Sequence, residues 1–280
     1  MRAPRNSKAA AVGVLTKVLR IFDALQRDPA GLRLKQICDL TGLNKSTAYR
    51  FLSHLEREGY LVREEHGVYM LGMRLFELAS ASNHESTLRR VAAPVLRDLQ
   101  RATGETVNLG ILQGPSMVYL EVIESAHEFR MAARIGAQNP VHATALGKAL
   151  TAFLSPEKAE RLLESMQFES LTPNTISSLE RMGEELERVR AQGFAVDNEE
   201  RLLGCRCIGA PILNSLGQAV AAISVSGPTT RVSASQIAAF GQALREAAQA
   251  ISTRIGFSVS PSSPARPELT ADGGFPLPQA

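Results

Sequence analysis

The chain has 280 residues, of which 44% are hydrophobic and 21% charged, with three cysteines and no tryptophan. This composition excludes a wholly disordered chain, and no uncharged apolar stretch is long enough for a membrane-spanning segment. The length favours two domains. We expect a soluble, cytoplasmic protein, because the N-terminal segment lacks the apolar block of a secretory signal and three cysteines do not suit a disulfide framework.

The net charge of +3 is unevenly distributed along the chain. Residues 1–76 contain 13 Lys and Arg against 7 Asp and Glu, a net charge of +6, whereas residues 77–280 contain 18 against 21, a net charge of −3. A basic N-terminal quarter favours contact with a polyanion. Many solvated surfaces are equally basic, so charge alone does not decide between these two interpretations.

The N-terminal quarter is predicted to contain three helices followed by a hairpin. The helices are predicted at 12–27, 34–40 and 45–58, and the strands at 60–63 and 68–71. A turn with the sequence Thr-Gly-Leu-Asn separates the second helix from the third, and its Asn44 is suited to cap the third helix. Helix, turn, helix and hairpin in this order predict a winged helix-turn-helix domain.

The third predicted helix has two faces. Ala48, Phe51, Leu52 and Leu55 recur at helical spacing and form its apolar side, and the opposite side is polar and basic. Such a helix fits the major groove of DNA, where Arg50 can reach guanine acceptors. From periodicity alone a solvated helix in a small bundle is an equal alternative, and the hairpin and the charge favour DNA. The candidate contacts to double-stranded DNA are Arg33, Lys45, Ser46, Thr47, Tyr49, Arg50, Ser53 and Arg57.

The pattern becomes mixed after residue 72. A helix at 73–82 is a candidate linker between domains, and helices and strands then intermix without strict alternation, which favours an α+β fold. Further helices are predicted at 88–102, 142–154, 156–166, 177–192 and 233–255, and strands at 106–112, 117–123, 129–133, 194–197, 207–213 and 219–226. The tail over 258–280 is rich in Pro, Ser and Gly and is predicted to be disordered.

Three clusters in the second half could converge on a small ligand. The run from His142 opens a helix with small residues, so its first N–H groups would be available to an anion. Asp197 ends one predicted strand, and Cys207 begins the next. Ser224 and Ser226 alternate on a third strand, so their hydroxyls point to the same face. Such groups suit a small oxygenated ligand, especially a carboxylate.

Each of these residues also has a simpler structural interpretation. The two serines could be satisfied by neighbouring strands, and Cys207 could be a small buried hydrophobe. His142 could support its own helix, and Lys148 could be a surface or salt-bridge residue. Arg134 could attract an anion or be a solvated loop residue, and the pair at 199–200 is most simply a solvated acidic turn.

An enzyme is the main alternative to a binding protein. Cys207 as nucleophile, His142 as base and Asp197 as orienting residue are suitable types, but Cys207 lies in an apolar strand without a nucleophile motif. Five scattered histidines and one Cys-x-Cys do not have zinc-site spacing. We therefore expect no catalytic residue, metal or cofactor. An architectural DNA-binding protein would leave about 170 patterned residues without a role.

Segments in both halves resemble the IclR family of bacterial transcription regulators. In the first half they are LNKSTAYRFL at 43–52, LEREGYLVR at 55–63 and VYMLG at 68–72. In the second half they are VHATALGKAL at 141–150, GFAVDNEE at 193–200, GCRCIGAP at 204–211 and ISVSGP at 223–228. The resemblance covers about residues 10–257 in order.

This resemblance implies a domain plan. It consists of a winged helix-turn-helix at 10–72, a linker helix at 73–85 and a GAF- or profilin-like effector-binding domain at 86–257. Residues 1–9, which precede the resemblance, are expected to form a flexible basic arm. The resemblance also implies that Ala145 and Leu146 offer backbone N–H groups to the effector and that Met131 forms an apolar wall. Asp197, Cys207, Ser224 and Ser226 would contact polar ligand atoms.

The resemblance implies that the protein is a transcriptional regulator that binds DNA and does not bind a membrane. We expect a repressor that binds a palindromic operator as a homodimer or a dimer of dimers and responds to a small organic-acid effector. The sequence does not identify the effector, the operator or the target genes.

Overall fold

The structure, a computed structural model, describes residues 13–80 and 84–257. The chain divides into two compact units, residues 1–83 and 84–280. The predicted basic arm at 1–9 and the predicted disordered tail at 258–280 lie outside the described residues. In the part that is described, no helix is both long and apolar enough to cross a bilayer.

The N-terminal unit contains the three predicted helices and the predicted hairpin. Its elements are α1 (Val14–Gln26), β1 (Leu32–Arg33), α2 (Leu34–Thr41), α3 (Lys45–Arg57), β2 (Leu61–Arg63), β3 (Val68–Leu71) and α4 (Met73–Ser80). The strands form an antiparallel sheet in the order β1–β3–β2. Strand β1 was not predicted, because two residues are too few to show a strand period.

The turn between α2 and α3 fixes the start of α3. Gly42 has a φ of 70°, a left-handed conformation that favours glycine, and it ends α2. The side chain of Asn44 accepts a hydrogen bond from the N–H of Thr47 at 2.9 Å, as the predicted cap requires. Ala48 and Leu52 are fully buried against the core of this unit, so the polar side of α3 faces outward.

The C-terminal unit is built on one antiparallel sheet. Its elements are α5 (His84–Thr103), β4 (Thr106–Gln113), β5 (Ser116–Ile123), β6 (Gln138–Pro140), α6 (Ala145–Ala152), α7 (Pro156–Ser165), α8 (Leu179–Gln192), β7 (Ala195–Asn198), β8 (Cys205–Leu213), β9 (Ala219–Pro228) and α9 (Ile237–Arg254). The strand order is β6–β5–β4–β9–β8–β7. Helices α5 and α9 pack in one hydrophobic core with the sheet, and α6 and α8 pack in another. The α+β fold is confirmed.

Two predicted elements of this unit are wrong in part. The strand predicted at 129–133 is absent, and the chain there is a loop. The loop is held by a hydrogen bond in which the hydroxyl of Thr106, on β4, donates to the carbonyl oxygen of Met131 at 2.8 Å. Phe129 is 75% exposed, so the apolar pattern of this segment did not reflect a buried strand face. The helix predicted from residue 142 begins only at Ala145, because a short 3₁₀ turn precedes it and Thr144 caps α6.

Candidate functional site

Strand register brings distant polar side chains of the C-terminal unit together. Asn108 on β4 lies opposite Ser224 on β9, and Ser226 lies opposite Cys207 on β8. Asp197 on β7 lies opposite Cys207. Residues directly opposite one another in a sheet point to the same face. These five side chains therefore form a continuous polar row across four strands.

The beginning of α6 lies against the same face of the sheet. A Cβ on Gly209 would be 2.9 Å from the carbonyl oxygen of Ala145, so this close approach requires glycine in β8. The hydroxyl of Thr144 accepts from the N–H of Gly147 at 3.1 Å. Among the described residues, the N–H groups of Ala145 and Leu146 have no hydrogen-bond partner. They leave an anion-binding end on the helix.

The polar row and the beginning of α6 line one cavity. The space between its lining atoms is about 510 Å³, a figure that includes open solvent at the mouth of the cavity. All seven residues expected to contact an effector line it: Met131, Ala145, Leu146, Asp197, Cys207, Ser224 and Ser226. The cavity is also lined by Thr106, Asn108, Tyr119, Thr144 and Arg201, which the sequence did not single out for this role.

Asn108 is the most informative of the residues missed by the sequence prediction. Its side chain is buried, and its amide NH₂ donates to the hydroxyls of Ser224 and Ser226, each at 3.2 Å. Its carbonyl oxygen Oδ1 is buried and has no hydrogen-bond partner in the described part of the chain. A period-two pattern could have indicated Asn108, because Thr106 and Asn108 alternate with the apolar Val107 and Leu109.

Burial sets the acidity of two cavity side chains. Burial, helped by the nearby Glu200 carboxylate, raises the pKa of Asp197 to about 6, although Asp197 accepts from the N–H of Glu200 at 2.8 Å and of Arg201 at 3.3 Å. Burial also raises the pKa of Tyr119 to about 12. Tyr119 is therefore a neutral hydroxyl, and Asp197 changes its charge close to physiological pH.

A buried ion cluster lies next to the cavity, and it decides two of the interpretations left open by the sequence. Lys148 is a buried salt-bridge residue and not a surface residue, with Nζ 2.6 Å from Oε1 of Glu200 and 3.0 Å from Oε1 of Glu185. Nζ also donates to the carbonyl oxygen of Val196. Glu200 is 6% exposed, so the acidic pair is not a solvated turn. Lys148 thereby ties α6 to α8 and to the segment that holds Asp197.

The pKa values of the two carboxylates in the cluster are shifted in opposite directions. Burial raises the pKa of Glu200, although Lys148 opposes it. Burial acts to raise the pKa of Glu185 as well, but the Lys148 ammonium and the Arg188 guanidinium lower it overall. A buried ammonium between two carboxylates is stable only while its partners remain in place.

The three residues of the enzyme hypothesis are not assembled into one site. Nε2 of His142 is 3.0 Å from the carbonyl oxygen of Glu169, and its ring packs on Phe168 at 5.4 Å. His142 lines a different groove from the cavity that contains Cys207 and Asp197. The neighbouring Cys205 thiol, with the sulfurs 3.8 Å apart, and burial raise the pKa of Cys207 well above its usual value. The side chain of His142 thus contacts the loop after α7, and Cys207 is a neutral thiol.

The outward side of α3 presents most of the candidate DNA contacts together. Lys45, Tyr49, Arg50 and Arg57 are exposed. The guanidinium of Arg50 lies over the Phe51 ring, 5.6 Å from its centroid.

The remaining candidates have local roles or lie elsewhere. The hydroxyl of Ser46 donates to Oδ1 of Asn44 at 3.0 Å, and the N–H of Thr47 donates to the same oxygen. Ser53 is half-buried on α3. Arg33 lies in β1, immediately before α2. His54, which the sequence prediction missed, is exposed and contacts Arg57 with a nitrogen–nitrogen distance of 2.6 Å. Its spacing of three from Arg57 was the available signal.

A helix-turn-helix unit followed by a mixed sheet unit defines the class of the protein, a helix-turn-helix transcriptional regulator. Residues 14–65 match the model of the IclR helix-turn-helix domain, and residues 80–253 match the model described as bacterial transcriptional regulator IclR, C-terminal. Since these two models cover most of the chain, the protein belongs to the IclR family of bacterial transcriptional regulators.

Named relatives align with the chain over nearly their whole length. The regulator XynR of Escherichia coli K12 is 38% identical over 242 residues, which are 86% of this chain and 96% of XynR. The transcriptional repressor IclR of the same strain is 31% identical and is covered to 95%, over 91% of this chain. A crystal structure of an IclR homolog from Microbacterium hydrocarbonoxydans complexed with 4-hydroxybenzoate is 28% identical with a TM-score of 0.55, covering 87% of this chain and 99% of the homolog.

Proposed function

We propose that the protein is a ligand-responsive repressor. Its winged helix-turn-helix binds a palindromic operator, and a small carboxylate in the cavity beneath α6 changes the affinity for that operator. The observation that carries this proposal is the convergence of the polar row and the free N–H groups of Ala145 and Leu146 on one cavity. The relatives IclR and AllR of Escherichia coli K12 are transcriptional repressors, which supports the sign of regulation.

On the DNA side, the outward face of α3 is the reading surface. Arg50 suits a bidentate contact to guanine, and Lys45 and Arg57 suit phosphate oxygens. Tyr49 can contact a thymine methyl or donate to a phosphate. A homodimer or a dimer of dimers would present two such helices with two-fold symmetry, which a palindromic operator mirrors.

On the ligand side, the chemistry of the cavity favours a carboxylate. The N–H groups of Ala145 and Leu146 and the positive end of α6 would bind its two oxygens. The hydroxyls of Ser224 and Ser226 supply further polar contacts, and Arg201 adds positive charge at the edge of the cavity. The homolog complexed with 4-hydroxybenzoate shows that an IclR-type protein can bind a ligand with this chemistry.

The effector acts by preferring one state of the regulator. A ligand shifts operator affinity only if it binds the free form and the DNA-bound form with different affinities. We assign the transmission to α4 and the beginning of α5, which connect the two units in sequence. A regulator of this kind acts in the cytoplasm, where the bacterial chromosome is.

No catalytic step is included in this function. The thiol of Cys207 is neutral, and the imidazole of His142 is bound elsewhere. Cys207→Ser should therefore retain an effector response. If the wild-type protein hydrolyses an ester or amide of its ligand and this variant does not, the protein is an enzyme and the proposal is wrong.

The test measures operator binding by fluorescence anisotropy, with DNA from the promoters that flank the gene and a panel of small carboxylic acids. Ser224→Ala and Asp197→Ala should bind ligand-free operator like the wild type and should fail to respond to an acid that releases the wild type. Ser215→Ala, at an exposed turn serine, is the matched control and should respond normally. An unchanged acid response in both cavity variants would show that the effector does not bind in this cavity.

A further inference from the structure

The amide NH₂ of Asn108 has hydrogen-bond partners, whereas its carbonyl oxygen has none among the described residues. Its NH₂ group donates to two serine hydroxyls, while Oδ1 is buried within the cavity wall and has no partner in the described part of the chain. Asn108 is only 1% exposed, so bulk water does not satisfy that oxygen. An unpaired buried acceptor is unfavourable, and in a binding site it is completed by a donor on the ligand.

The structure also shows which ligand groups cannot complete this site. Oδ1 of an amide only accepts hydrogen bonds, so a carboxylate, a ketone or an ether oxygen cannot pair with it. A carboxylate is better placed at the N–H groups of Ala145 and Leu146, where the helix end favours negative charge. A ligand that completes Asn108 does so with a second group of the same molecule, and a hydroxyl is the simplest neutral donor.

The two serines strengthen this assignment. Ser224 and Ser226 accept from the NH₂ of Asn108, and the Ser226 hydroxyl is also hydrogen-bonded to Cys207, so Ser224 keeps its hydroxyl proton for another partner. Oδ1 is then the unpaired acceptor of this cluster, next to the hydroxyl donor of Ser224. A ligand hydroxyl can donate to Oδ1 and at the same time accept from a serine, which a methyl or a bare ring carbon cannot do.

We propose that Asn108 is a specificity-determining residue that makes this cavity select carboxylic acids bearing a hydroxyl group over the same acids without it. The inference rests on the effector role proposed for the cavity and specifies the class of ligand. A site built to bind a hydroxyl discriminates strongly against the analogue that lacks it, because the buried partner is then left unpaired.

The experiment measures the binding of matched acids to the full chain by isothermal titration calorimetry. The pairs are 4-hydroxybenzoate with benzoate, lactate with propionate, and 3-hydroxybutyrate with butyrate, with 4-aminobenzoate as an N–H donor. In the wild type, at least one hydroxy acid should bind about tenfold or more tightly than its partner. In Asn108→Leu this ratio should fall to about threefold or less, while the Kd of the acid without the hydroxyl changes little.

Two further variants separate specificity from structure. Ser226→Ala leaves Oδ1 in place, so it should weaken both members of a pair while the preference persists. Asn108→Ala replaces Asn108→Leu if thermal melting shows that the leucine variant is unfolded. A hydroxy-acid preference that survives both Asn108 variants would overturn the assignment, as would equal binding within every pair, a preference for 4-aminobenzoate over 4-hydroxybenzoate, or no binding of any pair.

Operator release distinguishes this inference from the proposed function. If acids without a hydroxyl release the operator as well as hydroxy acids do, the cavity still senses carboxylates and Asn108 does not select the hydroxyl. If acids bind as expected for Asn108 but none changes operator affinity, the ligand class is correct and the regulatory proposal fails.

Discussion

The outward side of α3 and the cavity beneath α6 differ in how the chain builds them. Most of the candidate DNA contacts come from the 13 consecutive residues of α3, and the main cations of this helix are exposed to solvent. The cavity combines residues from β4, β7, β8, β9 and α6, and its polar groups are buried. An exposed cationic helix suits a polyanion whose affinity depends on charge, whereas buried groups suit a small molecule whose shape and hydrogen bonds are recognised.

The electrostatics of the two regions differ in the same way. Around the cavity, burial raises the pKa of Asp197 and Tyr119, and Lys148 is held between two carboxylates. The cations of α3 remain in water, where charges are screened and side chains adjust to a partner. Substitutions should therefore affect folding and ligand response at the cavity, and DNA affinity at α3.

The largest expected effect is on the buried cluster. Lys148→Met leaves the buried Glu200 without its cation and leaves Glu185 paired only with Arg188, so the free energy of unfolding should fall by about 3–5 kcal/mol. Lys158→Met, at an exposed lysine of α7, should change it by less than about 0.5 kcal/mol. Urea unfolding followed by circular dichroism measures both. Equal stability of the two variants would show that the cluster does not hold the cavity together.

A pH dependence should come from Asp197. Its pKa is higher in the folded state than in the unfolded chain, so the folded state binds more protons between pH 4 and 6 and stability falls as the pH rises through this window. The contribution lost is at most about 3 kcal/mol. Asp197→Asn should flatten this part of the curve and be more stable than the wild type at pH 7.

The unfolding free energy of both proteins, measured from pH 4 to 8, checks this difference. Glu200, Lys148, Arg201, Cys207 and Tyr119 are the other ionisable groups around Asp197, and they are present in both proteins. Parallel curves for the wild type and the variant would contradict the raised pKa.

On the α3 side, Arg50→Ala should weaken operator binding by about 1–3 kcal/mol and leave the free energy of unfolding within about 0.5 kcal/mol of wild type, because the side chain is exposed. Arg97→Ala, at an exposed arginine of α5, controls for the loss of one positive charge. Anisotropy titrations at two salt concentrations measure the effect. If the two variants bind the operator alike, Arg50 does not read a base.

The sequence predicted the α3 region well because its information is local. The turn residues Gly42 and Asn44 and the apolar spacing of the helix are contiguous, and the structure has the predicted helix within one residue. The seven cavity residues were named through the family resemblance and through clusters in the second half. That they lie around one cavity depends on strand register, which single-sequence patterns do not specify.

The misses share a physical cause. Lys148 and Glu200 are separated by 52 residues, and nothing local indicates that an acidic turn will be buried against a lysine. Asn108 lies within a correctly predicted strand. Its amide NH₂ is directed to Ser224 and Ser226 on the neighbouring strand β9, which leaves Oδ1 unpaired, and this pairing of strands is not visible in the local sequence. The strand predicted at 129–133 was wrong because the apolar Phe129 is exposed and the loop is held by hydrogen bonds to its carbonyl groups.

The separation of the two regions is tested most directly by one operator titration, performed with and without an acid that releases the wild type. Ser224→Ala should bind the operator with the wild-type Kd and keep that Kd when the acid is added. Arg50→Ala should bind the operator about 5- to 150-fold more weakly and still bind the acid with the wild-type affinity. If Ser224→Ala loses operator binding, or if Arg50→Ala loses acid binding, the two functions are not divided between α3 and the cavity.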